Sequence, residues 1–187
     1  NDKKIEQAIT KLKQLVTARE AALQRNAPSK ELGQLLESNY SKLAQLFRSQ
    51  KQWQLAYDNT VLAIHKQLVA PTPSAQKLGQ QFYISATDLL ELQKYRVAVE
   101  PLQNALHHYL QAVASAKKPF DRELGNTLLR LGAVQLLLND SKQAHQSLLQ
   151  AEQHFNALYR QHRSPVNIQN LAQCHCLLVQ SSWLART

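Results

Sequence analysis

The sequence predicts an all-α fold of antiparallel helix pairs, and three observations lead to this expectation. Its 187 residues are rich in Leu, Ala and Gln and contain only four glycines, a composition that favours helices over strands. Apolar side chains recur every three or four residues, as on one face of a helix. Five of the six prolines stand in polar stretches about 45 residues apart, where they interrupt helices at regular intervals.

Eight helices are predicted, at residues 2–25, 29–48, 51–69, 74–92, 95–116, 120–139, 141–162 and 165–184. In the first, Ile5, Ile9 and Val16 share one face, and Leu36 and Tyr40 do so in the second. The proline-containing stretches RNAPSKE, VAPTPSAQ, SAKKPFDRE and QHRSPVN separate the pairs. Weaker polar breaks at RSQKQ, ELQKY and LLNDSKQ divide each pair into two helices joined by a tight turn.

Small residues recur at equivalent places in the second helix of each pair. Ala56, Ala98 and Ala144 are separated by 42 and 46 residues, and Ala63 and Ala105 follow the first two at the same distance. A larger side chain at these positions would hold neighbouring helices apart. The recurrence therefore predicts a repeat of closely packed helix pairs.

The stretches YRVAVEPLQNAL (95–106) and LLRLGAVQLLLNDSKQAHQSLLQAEQHF (128–155) carry this pattern most fully. They resemble the tetratricopeptide repeat (TPR) family, in the long-unit variant similar to kinesin light chain-type and bacterial regulator repeats. The resemblance covers residues 30–163. The units are longer than the usual TPR unit of about 34 residues, and Gln135 and Thr60 replace an expected large apolar and an expected aromatic residue.

The resemblance implies a right-handed superhelix, formed by a single α-solenoid domain over residues 1–187. Its units are a half-repeat at 2–25, repeats at 29–69, 74–116 and 120–162, and a half-repeat at 165–184. Because the sequence contains no methionine, we expect the chain to be a fragment of a longer protein, and the Gln- and Leu-rich composition favours a bacterial one. No segment has the apolar length of a signal peptide or membrane span, which predicts a cytoplasmic location.

In TPR proteins the first helices of the pairs line a concave groove, and the resemblance implies which residues face it here. These candidate partner-binding residues are Ser41, Gln45, Arg48, Gln80, Tyr83, Thr87, Asn126, Leu129, Ala133, Leu136, Gln169 and Gln173. Arg48 would pair with a carboxylate of the partner, and Tyr83 would supply a flat anchor. The set has too few Lys, Arg and Asn residues for a carboxylate clamp, so we expect a partner helix or apolar peptide segment. The alternative is that these side chains are solvated and bind nothing.

The sequence gives no reason to expect catalysis, a cofactor or a metal site. Acidic residues are dispersed, and no Gly-rich phosphate loop or nucleophile motif occurs. Cys174 and Cys176 point about 200° apart on one helix, which disfavours a disulfide between them. We interpret them as two small buried residues, and the chain is predicted not to be an enzyme.

The formal net charge of +9 raises the question of nucleic acid binding. Lys and Arg are scattered over the predicted helices, and no run of like charge exceeds two residues. A phosphate-binding surface concentrates its charge on one face or strip, so nucleic acid is not the expected partner.

The predicted function is therefore a protein–protein interaction module within a regulatory, scaffold or assembly protein. Two alternatives stay open: a sensor domain that binds a small ligand or peptide signal, and a nucleic-acid or nucleoprotein adaptor that uses the basic helical faces.

The last helix is apolar on more than one side, including Leu171, Val179 and Trp183, although no further helix follows it. Either the intact protein continues with more repeats that cover this helix, or the helix associates with another copy. We predict concentration-dependent formation of a homodimer through the C-terminal helix.

Overall fold

A computed structural model describes residues 2–25, 29–116 and 121–184, which form eight α-helices and no strand. The helices are α1 (Asp2–Arg25), α2 (Lys30–Ser49), α3 (Trp53–Leu68), α4 (Ala75–Glu91), α5 (Tyr95–Ala116), α6 (Arg122–Leu137), α7 (Ser141–Gln161) and α8 (Pro165–Leu184). The all-α fold class is confirmed, and every helix lies within two residues of its predicted bounds. The predicted start of the sixth helix at residue 120 lies outside the described residues.

The chain divides into two compact units, Asn1–Gln93 and Lys94–Thr187. In unit 1, α1 packs on α2, α2 on α3, and α3 on α4. In unit 2, α5 packs on α6, α6 on α7, and α7 on α8, which also contacts α6. Within each unit, helices that are consecutive in the chain are therefore neighbours, as expected for hairpins of antiparallel helices. The single solenoid domain over residues 1–187 stays a prediction.

Polar side chains at the predicted breaks cap the helices. The Ser29 hydroxyl accepts a hydrogen bond from the backbone N–H of Leu32 at 3.3 Å, at the start of α2. Asp121 accepts from Glu123 N and Leu124 N at 2.9 and 3.3 Å at the start of α6. Such caps satisfy backbone donors that the first turn of a helix leaves unpaired.

The three turns inside the helix pairs share one backbone conformation. Lys51, Gln93 and Asn139 have φ values of 57°, 57° and 60°, in the left-handed region that non-glycine residues seldom adopt. Each lies five residues before an alanine of the repeat pattern. After α2, Gln52 N donates to Phe47 O and Lys51 N to Arg48 O, both at 2.9 Å, which is the hydrogen-bond pattern of a Schellman motif. The repeat seen in the sequence is thus also a repeat in backbone geometry.

The small residues of the repeat are buried where helices meet. The alanines of this pattern are at most 1% exposed: Ala56, Ala63, Ala98, Ala105, Ala144 and Ala151. In unit 2, Gly132 of α6 faces Leu148 of α7 so closely that a Cβ atom added to Gly132 would lie 2.6 Å from Leu148 Cγ. Close approach of paired helices, the predicted reason for this pattern, is confirmed within unit 2 by that distance.

The two residues that depart from the TPR pattern are both buried in hydrogen-bond networks. Thr60, at 3% exposure, donates to Ala56 O at 2.9 Å. Gln135, at 5% exposure, accepts from Ser147 Oγ at 2.8 Å and donates to Gln143 Oε1 at 3.3 Å. A buried polar side chain is tolerated at these positions because a partner on the same or the adjacent helix satisfies it.

One prediction about the cysteines is wrong. Cys174 is buried as expected, but Cys176 is exposed, and both thiols are free. The two side chains lie about 200° apart around α8, so only one of them can face the interior of unit 2. The same geometry agrees with the absence of a disulfide between them.

Candidate functional site

An open groove in unit 1 runs between α2 and α4, the first helices of two successive predicted repeats. Its volume is about 440 Å³. The residues that line it are Glu37, Ser41, Gln45, Arg48, Lys77, Gln80, Gln81 and Ile84. Four of the predicted partner-binding residues are in this set, so the structure brings part of the predicted site together. We call this cavity the α2–α4 groove.

At one end of the α2–α4 groove, Arg48 is paired inside the protein. Its Nε donates to Asp88 Oδ1 at 2.7 Å and its Nη2 to Asp88 Oδ2 at 3.0 Å. Nη2 also donates to Thr60 Oγ1 at 2.5 Å. The Asp88 side chain is fully buried, and that of Arg48 is 23% exposed. The guanidinium that was expected to meet a partner's carboxylate therefore holds one within unit 1, linking α2, α3 and α4.

Burial has the largest effect on the pKa of Asp88. It raises the pKa of this carboxyl above its ordinary value, and the hydrogen bonds and charge of Arg48 oppose that rise without reversing it. Each carboxylate oxygen nevertheless has a charged donor, which is the arrangement that a buried carboxylate needs. The Arg48–Asp88 pair is thus a structural connection, and it contributes little free charge to the groove.

At the other end of the α2–α4 groove, Glu37 of α2 contacts three side chains. It accepts from Gln81 Nε2 at 2.6 Å and from Ser41 Oγ at 3.3 Å, and Lys77 Nζ lies 3.7 Å from its second oxygen. Glu37 and Gln81 are each only 8% exposed. Gln81 Oε1 is buried without a hydrogen-bond partner in the part of the chain that the structure describes. This second network again joins α2 to α4 and leaves one acceptor unsatisfied.

The surface that remains available in the groove is mainly amide. Gln45 and Gln80 are exposed, Ser41 is half-buried, and the only strongly exposed charge among the lining residues is Lys77, at 61%. Because Glu37 lies beside it, the charge of Lys77 is partly balanced. The groove thus offers hydrogen-bond donors and acceptors of the kind that pair with a peptide backbone or with polar side chains.

Two predicted residues on α4 do not line this groove. Tyr83 and Thr87 are both half-buried, and the Thr87 hydroxyl donates to the backbone carbonyl of Tyr83 at 3.0 Å. Ile84 lines the groove instead. The role of Tyr83 and Thr87 in binding a partner stays a prediction.

The remaining predicted residues belong to unit 2. On α6, Leu129 and Leu136 are each 6% exposed, while Asn126 and Ala133 are half-buried. Because α6 contacts α5, α7 and α8, most of its surface is covered, and these leucines offer little area to a partner.

The predicted residues on α8, at positions 169 and 173, are exposed glutamines. Asn126 Oδ1 accepts from Asn170 Nδ2 at 3.3 Å.

The interpretation of the sequence missed Glu37, Lys77, Gln81 and Asp88. Asp88 lies between Ala86 and Leu89, which are both buried, so its helix position already indicated an interior carboxylate. An interior carboxylate requires a cationic partner. That signal predicts a buried ion pair, although the sequence does not show which Lys or Arg supplies the charge.

No group of three or more His, Cys, Asp or Glu residues suited to hold a metal ion is found in residues 2–25, 29–116 and 121–184. None of the described helices is long and apolar enough to cross a membrane.

Comparison with known proteins identifies the kind of fold. The chain is similar to BtubC (BKLC) from P. vanneervenii, a bacterial kinesin light chain-like helical repeat protein, with a TM-score of 0.57. The two share 14% sequence identity, and the match covers 97% of this chain and 84% of BtubC. This chain has the fold of a helical repeat protein. No family model and no curated protein matches the sequence.

Proposed function

We propose that the chain is a TPR-like interaction module that binds an extended peptide segment of a partner protein in the α2–α4 groove. The observation that carries this proposal is the groove itself, an open cavity of about 440 Å³ between the first helices of two successive repeats. Helical repeat proteins in general use such surfaces to bind partners. The BtubC-like fold supports a general role in protein interaction.

The chemistry of the groove favours a peptide whose contacts are mainly through backbone and neutral polar groups. Arg48 is already bound to Asp88, so it does not attract a terminal carboxylate. Gln45 and Gln80 present amide donors and acceptors, and a ligand N–H that reached Gln81 would satisfy its unpaired oxygen. An extended peptide supplies alternating N–H and C=O groups for these partners.

Selection from a library of displayed peptides, followed by measurement of Kd for a selected peptide, tests the proposal. The variant Gln45→Arg/Gln80→Arg places two long side chains in the groove, and we expect it to weaken binding by at least tenfold. The matched control Gln76→Arg/Gln150→Arg changes two exposed glutamines outside the groove and adds the same charge. We expect its Kd to stay within twofold. Equal Kd values for both variants would show that the peptide does not bind in the α2–α4 groove, and would contradict the proposal.

The same assay separates a small-ligand sensor and a nucleic-acid adaptor from the proposed module, whereas a sensor of a peptide signal would also select a peptide. A small-ligand sensor would select no peptide, and its melting temperature would rise with a metabolite library instead. A nucleic-acid adaptor would bind a single-stranded oligonucleotide with an affinity that falls steeply as salt is added. We expect neither response from the unsubstituted chain.

A further inference from the structure

Helix α8 is apolar on two opposite sides, and only one of them is covered. Leu171 and Cys174 are on the side that packs within unit 2, at 9% and 0% exposure. The opposite side carries a second set of apolar or weakly polar residues, spaced by 4, 4, 3 and 4 positions, that all project from one face. This set, the outer stripe of α8, consists of Ile168, Ala172, Cys176, Val179 and Trp183.

The outer stripe is strongly exposed. Ile168, Val179 and Trp183 are 52%, 71% and 67% exposed. A tryptophan side chain is mostly buried in folded proteins, so this degree of exposure is unusual. By area, the five residues together expose on the order of 400–500 Å² of largely apolar surface, comparable to the largest patch on a typical monomer.

The charges around the stripe indicate what covers it. Among the described helices, α8 alone contains no Asp, Glu, Lys or Arg. The imidazole next to the stripe, that of His175, is held by Glu152 Oε1 at 2.6 Å. A partner with a charged face would find no complementary charge here. A second copy of the same uncharged face meets no repulsion.

The spacing of the stripe also suits self-association. When two copies of α8 lie antiparallel about a two-fold axis between residues 175 and 176, Ile168 of one chain falls opposite Trp183 of the other. In the same register Ala172 falls opposite Val179, so each larger side chain faces a smaller one. A two-fold contact must be self-complementary in this way. The 3–4 spacing is that of helices packed along a shared seam.

We propose that the outer stripe of α8 is covered by a second copy of this chain in an antiparallel, two-fold contact, with Cys176 of each chain next to the axis. The contact would bury about 1,000 Å² in total, at the lower end of specific interfaces, so the dimer is weak and depends on concentration. This proposal concerns unit 2 and does not depend on the α2–α4 groove of unit 1.

Sedimentation equilibrium of the 187-residue chain over a range of micromolar concentrations tests the contact. The average mass should rise from that of one chain toward twice that value. Val179→Ser/Trp183→Ser should raise the dissociation constant at least tenfold. The control Val69→Ser/Leu137→Ser removes two other apolar side chains of similar exposure, 66% and 61%, and should leave it unchanged. A chain that stays monomeric, or a dimer that survives the stripe substitutions, overturns the proposal.

Cross-linking with a short bismaleimide, which adds one thiol to each of its two double bonds, tests the arrangement. The unsubstituted chain should give a covalent dimer through Cys176, and Cys176→Ser should abolish it. In the Cys176→Ser background, a mixture of Ala172→Cys and Val179→Cys chains should cross-link, because those positions face each other. Cross-linking of either chain alone at the same yield would show a parallel contact and contradict the antiparallel one.

Discussion

The guanidinium of Arg48 in α2 contacts both carboxylate oxygens of Asp88 in α4, at 2.7 and 3.0 Å. These residues are forty positions apart in the chain and lie on the first helices of two successive predicted repeats. Thr60 of α3 joins the same network through Arg48 Nη2. The Arg48–Asp88 ion pair and the hydrogen bond to Thr60 therefore connect three of the four helices of unit 1.

Removal of Arg48 should destabilise unit 1 strongly. In Arg48→Met the fully buried Asp88 carboxylate loses its cation, and the free energy of unfolding should fall by about 3 kcal/mol or more. The control Arg96→Met, at an exposed position of α5, should change it by less than about 0.5 kcal/mol. Urea denaturation at pH 7 measures both. A loss for Arg48→Met no larger than that of the control would contradict a structural role for the pair.

The pH dependence of stability should reveal whether burial or the ion pair dominates at Asp88. Because burial raises the pKa of Asp88 in the folded protein, the folded state holds this proton more tightly than the unfolded state does. The stabilising contribution is complete below the ordinary carboxyl pKa of about 4 and is lost as pH rises through the raised value. The free energy of unfolding of the unsubstituted chain minus that of Asp88→Asn should therefore decrease with rising pH. An increase would mean that Arg48 lowers the pKa.

Two glycines should respond oppositely to the same substitution. Gly132→Ala would place a Cβ 2.6 Å from Leu148 Cγ and 3.3 Å from Ala144 O, and should cost about 1–3 kcal/mol. Gly33→Ala in α2 meets nothing within 4 Å and should stabilise the helix by up to about 1 kcal/mol. Thermal unfolding of both variants is the measurement. Similar shifts in Tm would show that α6 and α7 are not as close as described.

Replacement of a left-handed turn residue by glycine should increase the stability of the chain. Lys51→Gly relieves the cost of a positive φ in a residue with a Cβ, and should stabilise the chain by about 1 kcal/mol. Lys42→Gly, at an exposed position inside α2, should destabilise it by about the same amount. Chemical denaturation of both variants gives the comparison. A loss of stability in Lys51→Gly would show that this turn is not left-handed.

The two cysteines should react at very different rates. Burial, with a smaller effect from Glu152, raises the pKa of Cys174 to about 12, so almost no thiolate forms at pH 8. Cys176 is exposed. A disulfide reagent should therefore modify one thiol of the folded chain quickly and the second only after denaturation. Rapid modification of both thiols in the unsubstituted chain, and of the remaining thiol in Cys176→Ser, would contradict the burial of Cys174.

The sequence allowed the helices and their close contacts to be predicted, because both depend on local patterns. Proline and cap residues mark the ends of helices, and the alanines at 56, 98 and 144 report positions where no larger side chain fits. Apolar spacing then assigns a buried face to each helix. The prolines, the caps and the apolar spacing involve residues within one or two turns of each other, and the alanines recur at intervals of 42 and 46 residues.

The site was less predictable because it depends on contacts between distant residues. Arg48 lines the α2–α4 groove, but its partner Asp88 is forty residues away in the chain. Leu129 and Leu136 occupy the same repeat positions as Ser41 and Arg48. They are nevertheless buried, since α6 is covered by three other helices of unit 2. The repeat pattern assigns an equivalent position to each repeat, but the residues that surround this position differ from one repeat to the next.

The shared turn after α2, α4 and α6 also determines where the chain can change in length. Adding one residue beside Lys51 or Asn139 would rotate the following helix by about 100° and move its buried alanines out of their contacts. The segments at 69–74 and 162–164 do not set such a rotation through a fixed turn, and they tolerate added length more readily. Inserted loops, tags or whole domains should therefore be accepted between the helix pairs and rejected within them.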